Sequence, residues 1–242
     1  MVFYLLIPND YHTSWSEFIE VRREELDKIE EKIGHDYTPS NPNHVLRFLN
    51  LDLNKVKVIW LGQDPYFVEG IATGRSFEDG ALKSWVGNAP QPALRNIIRS
   101  IYGSIKNIDA YKKILKYNEI KKEISNGNFL IEETPEKWFA SLEEQGVLFL
   151  NVYLTTKIGK AGEHEGIWKA FAMDLLKYIN SKNAEIEWFL WGNDAKEIGS
   201  KLVLKNKHEG RHPTYTSEGY EDDILYFNGF EKTKHMINWL GK

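Results

Sequence analysis

The sequence predicts a single-domain, three-layer α/β/α fold with a short, mainly parallel central sheet, and three observations carry this. Short apolar segments of strand length occur at residues 56–61 (VKVIWL), 147–150 (VLFL) and 186–191 (IEWFLW), with a weaker one at 207–211. The apolar runs are nearly continuous instead of alternating, as in strands covered on both faces. The stretches between them are long enough for helices, so successive strands should be joined by right-handed crossovers and lie parallel.

Each element has its own signal. Residues 2–7 are apolar but lack a basic flank and end at Pro8; they are too short for a signal peptide or membrane span and should dock as a strand or arm. Residues 14–33 read as one amphipathic helix: Ser14 and Glu17 have capping-box spacing, and Trp15, Phe18, Leu26, Ile29 and Ile33 recur near the helical period. Residues 37–43 (YTPSNPN) form a turn-rich connector. Further helices are expected over 92–102, 167–180, 194–202 and 231–240. Residues 105–136, rich in Lys, Ile, Asn and Glu with a turn signal at Asn126-Gly127, stand apart. They read as a helix over 110–125 followed by a loop. A surface excursion is the plainer reading; a protein-partner site is the alternative. No repeat or linker interrupts residues 1–242.

Composition excludes several chemistries. With 242 residues and 42 % apolar content, the chain can build one sizeable core. The absence of cysteine removes disulfides, thiolate metal sites and cysteine nucleophiles, and fits an intracellular protein. A net charge of −4 weighs against nucleic acid as partner, because phosphate binding draws on a basic footprint. A local basic face can still coexist with acidic helices elsewhere.

In an open parallel sheet, ligands bind beyond the carboxyl ends of the strands. Just past the four expected strands lie Gly62-Gln63-Asp64-Pro65-Tyr66, then Asn151 with Thr155 and Thr156, then Gly192-Asn193, then His212-Pro213-Thr214. An acid, two amides, a tyrosine and a histidine thus arrive at one rim from separate parts of the chain, which argues for a site more strongly than any one residue does.

These blocks, GQDPY, GVLFLN, FLWG and a late HP loop, resemble the family-1 uracil-DNA glycosylases in sequence and in order. Lesser echoes are Tyr37, Pro39, Phe77, Gln91-Pro92, His164 and Asn238-Trp239-Leu240; residues 105–136 are longer than the family usually has. The resemblance implies a monomeric DNA-repair enzyme that flips uracil out of single- or double-stranded DNA and hydrolyses its N-glycosidic bond without metal or organic cofactor. It places the catalytic carboxylate at Asp64, which alone would read as an ordinary Asx turn, and the leaving-group histidine at His212, which alone would read as a loop His-Pro. Asn151 would pair with uracil N3–H and O4, a pattern that cytosine reverses. Phe77 would stack on the base, Tyr66 would exclude a C5 methyl group, and Gln63 would contribute mainly backbone N–H groups. The DNA loops fall on Gln91-Pro92-Ala93, on 159–164 with His164, and on Pro213, Thr214, Tyr215, Thr216 and Ser217; Arg75, Arg95, Lys157, Lys160 and Arg211 lie nearby as a candidate basic footprint.

The chain departs from the family pattern at three places. Phe67 stands where a histidine usually follows GQDPY, Ala93 replaces a serine, and the family's HPSPLS is His212-Pro-Thr-Tyr-Thr-Ser217. The leucine wedge therefore falls on Thr216, with Tyr215 beside it as a ring able to take over, and the acids Glu218, Glu221, Asp222 and Asp223 follow where phosphate should approach. Weak flipping or a preference for single strands would suit such a clamp. Two other functions fit: a glycosylase for another modified pyrimidine, and a non-catalytic accessory protein of this fold using 105–136 as its partner surface. A binder has no need of Asp64 together with His212. An α/β hydrolase fits poorly, since there is no G-x-S-x-G elbow, and the one histidine pair four residues apart, His208 and His212, spans the end of an expected strand and not a helix.

Overall fold

The computed structural model of the chain describes residues 6–242. Along the sequence come α1 (Ser16–Glu20), α2 (Arg23–Ile33), β1 (Tyr37–Thr38), β2 (Val58–Gly62), α3 (Pro92–Ile105), α4 (Tyr117–Ser125), α5 (Pro135–Gln145), β3 (Val147–Asn151), β4 (Thr156–Lys157), α6 (Glu165–Lys182), β5 (Glu187–Trp191), α7 (Asn193–Ser200), β6 (Asn206–Gly210) and α8 (Gly229–Thr233). The central sheet has the order β3-β2-β5-β6, and every pairing in it is parallel. β1 and β4 form a separate antiparallel pair.

Side chains alternate across a strand, and here both alternating sets are apolar. Ile59, Leu61, Leu148, Leu150, Trp188 and Leu190 face a core built with α1, α2, α6 and α7. Val58, Trp60, Val147, Phe149, Phe189 and Trp191 face a second core built with α3, α4, α5 and α8. The result is the expected α/β/α sandwich. β6 lies at the sheet edge and carries mostly polar residues with an alternating burial pattern, which is why its sequence signal is the weakest.

Several elements differ from expectation. The helix expected over 14–33 is broken: a 3-10 turn at Thr13–Trp15 leads into α1, and α2 begins only at Arg23. The capping box does not form, because the Ser14 hydroxyl instead accepts the Leu53 backbone N–H at 3.0 Å. The helix expected over 231–240 shortens to α8, and that over 110–125 to a 3-10 turn at Tyr111–Lys113 followed by α4. α5 had no expected counterpart, although its stop and start signals are ordinary. The Thr134 hydroxyl caps it, Pro135 occupies its first turn, and Gly146 ends it at φ +105°. The expected docking of residues 2–7 falls largely outside the described residues; Leu6, within them, is buried.

The segment 105–136 is not a surface excursion. Ile114, Tyr117, Ile120, Phe129 and Ile131 are buried in the second core, and the Tyr117 hydroxyl donates to the Trp85 carbonyl at 2.9 Å. Ile120→Ala should therefore destabilise the protein by about 2–5 kcal/mol, as for other buried aliphatic truncations. Chemical denaturation measures this, and a change within the scatter of surface substitutions would place the segment outside the core.

Candidate active site

Parallel register sets the site. Gly62 at the end of β2 pairs with Asn151 at the end of β3, and the chain continues the pairing: Val152 N–H donates to the Gly62 carbonyl and Tyr153 N–H to that of Gln63, both at 2.9 Å. A Cβ on Gly62 would lie 2.3 Å from Asn151 Oδ1 and 2.9 Å from Ser76 Cβ, so this strand end requires glycine. Asn151 is buried, and its amide makes no side-chain hydrogen bond to the described residues.

Gly62, Asp64, Tyr66, Phe67, Phe77, Gln91, Pro92, Ala93, Asn151, His212 and Thr214 all line one cavity of about 270 Å³. The acid is fixed by a neighbouring loop. Gly162 N–H donates to Asp64 Oδ2 at 2.6 Å, from a residue at φ +72° that favours glycine. Burial raises the Asp64 pKa, partly opposed by this hydrogen bond. The turn itself is tied down where the Thr38 hydroxyl of β1 donates to the Tyr66 carbonyl at 3.0 Å.

At the opposite wall, Thr214 N–H donates to His212 Nδ1 at 3.3 Å. That bond makes Nδ1 an acceptor and leaves the ring proton on Nε2. Desolvation at the cavity wall lowers the His212 pKa, while Asp194 acts in the other direction, and the net shift favours the neutral ring. Gly192, at φ +93°, lets it approach closely: a Cβ there would come within 3.1 Å of His212 Cβ.

Phe77 forms the third wall. It has φ +65°, a strained value for an aromatic residue. Three contacts hold it there: its ring packs edge-on against Trp191 at 5.5 Å, its carbonyl accepts the Tyr66 hydroxyl at 3.4 Å, and neighbouring Ser76 donates to the Trp60 carbonyl at 2.9 Å. Burial pushes the Tyr66 phenol well above its usual pKa, so it remains a donor.

The cavity combines a desolvated carboxylate, a free amide, a neutral N–H donor and an aromatic wall. No family model matches the chain. Curated relatives do: uracil-DNA glycosylase 2 of Listeria innocua is 32 % identical over 190 residues, covering 77 % of this chain and 70 % of the relative. The chain belongs to the uracil-DNA glycosylase family. The uracil-DNA glycosylase of Fusobacterium nucleatum is 29 % identical, covering 84 % of this chain and 81 % of the relative. Among solved structures, the UNG of Nitratifractor salsuginis shares the fold with a TM-score of 0.73 at 22 % identity, covering 98 % of this chain and 94 % of that one.

Against the family pattern, some expected positions lie elsewhere. Gln63 is exposed and does not line the cavity; its carbonyl serves the strand extension. His164 is buried, with Nδ1 2.9 Å from the Thr155 hydroxyl, which also accepts from Trp168 Nε1, so it supports the 159–164 loop from inside. Arg75 is no phosphate clamp: it is buried and bonded to Glu78 at 3.0 Å and Glu143 at 2.6 Å, locking the cavity wall to α5. Lys157 lies 3.8 Å from Asp36, Lys160 3.8 Å from Glu163, and Arg211 stacks on the Tyr220 ring. Of the five basic candidates, Arg95 alone makes no side-chain hydrogen bond, ion pair or ring contact to the described residues.

The acidic run after His212 proves largely neutralised. Asp223 is fully buried and accepts Ser217 N–H at 2.6 Å and Leu225 N–H at 2.9 Å. Asp222 pairs with Lys196 at 2.8 Å and Glu218 with Lys112 at 3.3 Å. Tyr215 stands out from this loop, 73 % exposed, whereas Thr216 is half-buried. Residues without a sequence signal complete the site: Asn96 donates to the Pro213 carbonyl at 2.8 Å, and Glu78 and Glu143 hold Arg75. The His212 geometry predicts an Nε2–H tautomer that titrates below the ordinary histidine range. Nitrogen-15 spectra of the ring would contradict it by showing an Nδ1–H tautomer or an ordinary titration.

Proposed function

We propose that this cavity excises uracil from DNA, with Asp64 and His212 as its catalytic residues. What carries the reading is that the Asp64 carboxylate, the free Asn151 amide and the His212 ring with its Nε2–H line one cavity. Such a cavity cannot reach a stacked base, so the nucleotide must be flipped into it. The flipped base then stacks on Phe77, and the Asn151 amide accepts from N3–H and donates to O4. Cytosine presents the reverse pattern at those two positions.

As the glycosidic bond breaks, its electron pair passes to uracil N1 and spreads to O2, where the neutral His212 donates its Nε2–H hydrogen bond. Positive charge develops on the sugar, and the Asp64 carboxylate stabilises it. One Asp64 oxygen is held by Gly162 N–H, leaving the other to orient water for attack at C1′. The hydroxyl adds to C1′, the water's proton is released through Asp64, the uracil anion takes up a proton, and an abasic site remains. The same carboxylate, raised by burial, is a better proton acceptor than a solvated aspartate.

Gripping DNA falls to the loops around the mouth. Gln91 caps α3 without a side-chain hydrogen bond, and the free N–H groups of that helix start suit a phosphate. Arg95, one turn further on, supplies an unpaired charge. Phe67 is 43 % exposed at the mouth and Tyr215 crowns the histidine loop, so flat apolar rings edge the site where unpaired bases can stack. Single strands are the favoured substrate on this reading, and the absence of cysteine suits an intracellular place of action.

Purified protein in EDTA should release uracil from an oligonucleotide carrying one uracil and leave an alkali-labile site, and Asp64→Asn should slow release about a hundredfold or more. No release from either single or double strands would sink the enzyme reading. Base choice is a separate measurement: Tyr66→Ala should admit thymine, and Asn151→Asp should weaken discrimination against cytosine. Wild-type selectivity in both variants would exclude these two residues from base recognition. For the wedge, stacking worth about 1–3 kcal/mol per base leads to a loss of about ten- to a hundredfold on duplex for Tyr215→Ala, with little loss on single strands. Thr216→Ala should do little on either; equal losses on both substrates for Tyr215→Ala would exclude the ring as wedge.

A further inference from the structure

The loop that carries His212 is connected to the segment 105–131 by a chain of hydrogen bonds. Asn96, buried on α3, donates through Nδ2 to the Pro213 carbonyl at 2.8 Å and reaches the Thr214 carbonyl at 3.5 Å. Its Oδ1 accepts from Arg99 Nη1 at 3.0 Å, and Arg99 Nε donates to the Leu115 carbonyl at 3.0 Å. A planar guanidinium, one helical turn from Asn96, thus fixes the amide's orientation and joins it to the segment's backbone.

The same segment meets the loop again beyond Tyr215. The Tyr111 hydroxyl faces the Thr216 side chain, and the Tyr111 ring packs against Tyr226 at 5.0 Å, whose hydroxyl donates to the Glu218 carbonyl at 3.4 Å. Lys112 pairs with Glu218 at 3.3 Å, an exposed contact of little energy. The loop is therefore held on both sides of its exposed ring by one segment, and that segment is anchored in the core through Ile114, Tyr117 and Ile120.

We infer that residues 105–131 brace the histidine loop through Arg99 and Asn96, making these two positioning residues for His212; this rests on the glycosylase reading. The brace fixes the backbone directly after His212, and with it the place of the ring at the cavity wall. It acts on the hydrogen bond to the departing base, since misplacing one preorganised donor weakens catalysis without removing substrate binding.

The test cuts the chain at either end. Arg99→Met removes the donors to Leu115 and Asn96, and Asn96→Asp keeps the Arg99 partner but removes the donor to Pro213. In both variants hydrogen exchange of the amides of His212 and of residues 214–217 should quicken about tenfold, the effect of losing one charge-assisted or buried bond, with sheet amides unchanged. Unchanged exchange in the loop overturns the brace whether or not the protein is active. Single-turnover excision of uracil from single strands should fall about tenfold with substrate binding unchanged. Excision of 5-fluorouracil, a better leaving group that depends less on His212, should fall less than about threefold. In a His212→Ala background, Arg99→Met should add no further loss. Equal losses for the two bases, or full additivity with His212→Ala, would show that the segment merely supports the fold. Wild-type protein that releases no uracil while the loop still loosens in the variants would instead count against the glycosylase reading alone.

Discussion

The registered end of two parallel strands is the constraint on which the site depends. Because β2 and β3 run parallel with Gly62 opposite Asn151, the GQDPY turn and the amide leave the sheet at the same level and on neighbouring strands. The contact is close enough that a single methyl group at position 62 would occupy the amide's place. Overpacking of this kind costs about 1–3 kcal/mol where neighbours can move, and here the other neighbour, Ser76, is itself bonded to the Trp60 carbonyl. The glycine therefore serves geometry: it lets the amide stand free of the backbone while the strands stay paired.

Rigidity behind this rim comes from aromatic packing. Trp60 is surrounded by Phe149, Trp138, Trp191, Phe230 and Trp239 at centroid distances of 5.0–6.0 Å, and Phe77 leans on the edge of that cluster through Trp191. A strained φ of order 1–3 kcal/mol persists only where surroundings over-determine it, and a close-packed aromatic layer does so. The electrostatics follow from the same enclosure. Desolvation raises the Asp64 pKa and lowers that of His212, which moves the two groups in opposite senses. Each shift favours the neutral form. For His212 that form keeps an Nε2–H facing no acceptor on its own loop. For Asp64 the Gly162 N–H opposes the shift and favours the anion.

The sheet and the residues at its rim were legible in the sequence because both rest on local pattern: continuous apolar runs for strands buried on two faces, and the polar residues directly after them. Less legible was whatever depends on a distant partner. Ser14 has capping-box spacing, yet Leu53 takes its hydroxyl. Arg75 has the charge of a phosphate clamp, but Glu143, 68 residues away, draws it inward. His164 falls within an expected DNA loop and still turns to Thr155 and the interior. Residues 105–136 look polar enough for a surface excursion, because their apolar side chains are spaced for one buried face and their lysines for the other. Asn96 carries no motif; only the position of the Pro213 carbonyl reveals its use.

The net charge of −4 weighed against a DNA-binding protein, and the structure shows why a sum misleads there. What approaching phosphate meets is local charge, screened beyond about 8–10 Å at physiological salt. Three of the four acids following the histidine loop are occupied. Asp223 is buried on backbone N–H groups, where it shapes the turn, and Asp222 and Glu218 lie beside lysines. Exposed pairs of that kind contribute little to stability, but they lower the field that a phosphate would otherwise feel. At the mouth itself stand the start of α3, Arg95 and two exposed rings. On the function proposed above, a surface so composed would draw less on counterion release than a basic cleft does and more on stacking, which would give unpaired, flexible strands the advantage over a duplex that must first be opened.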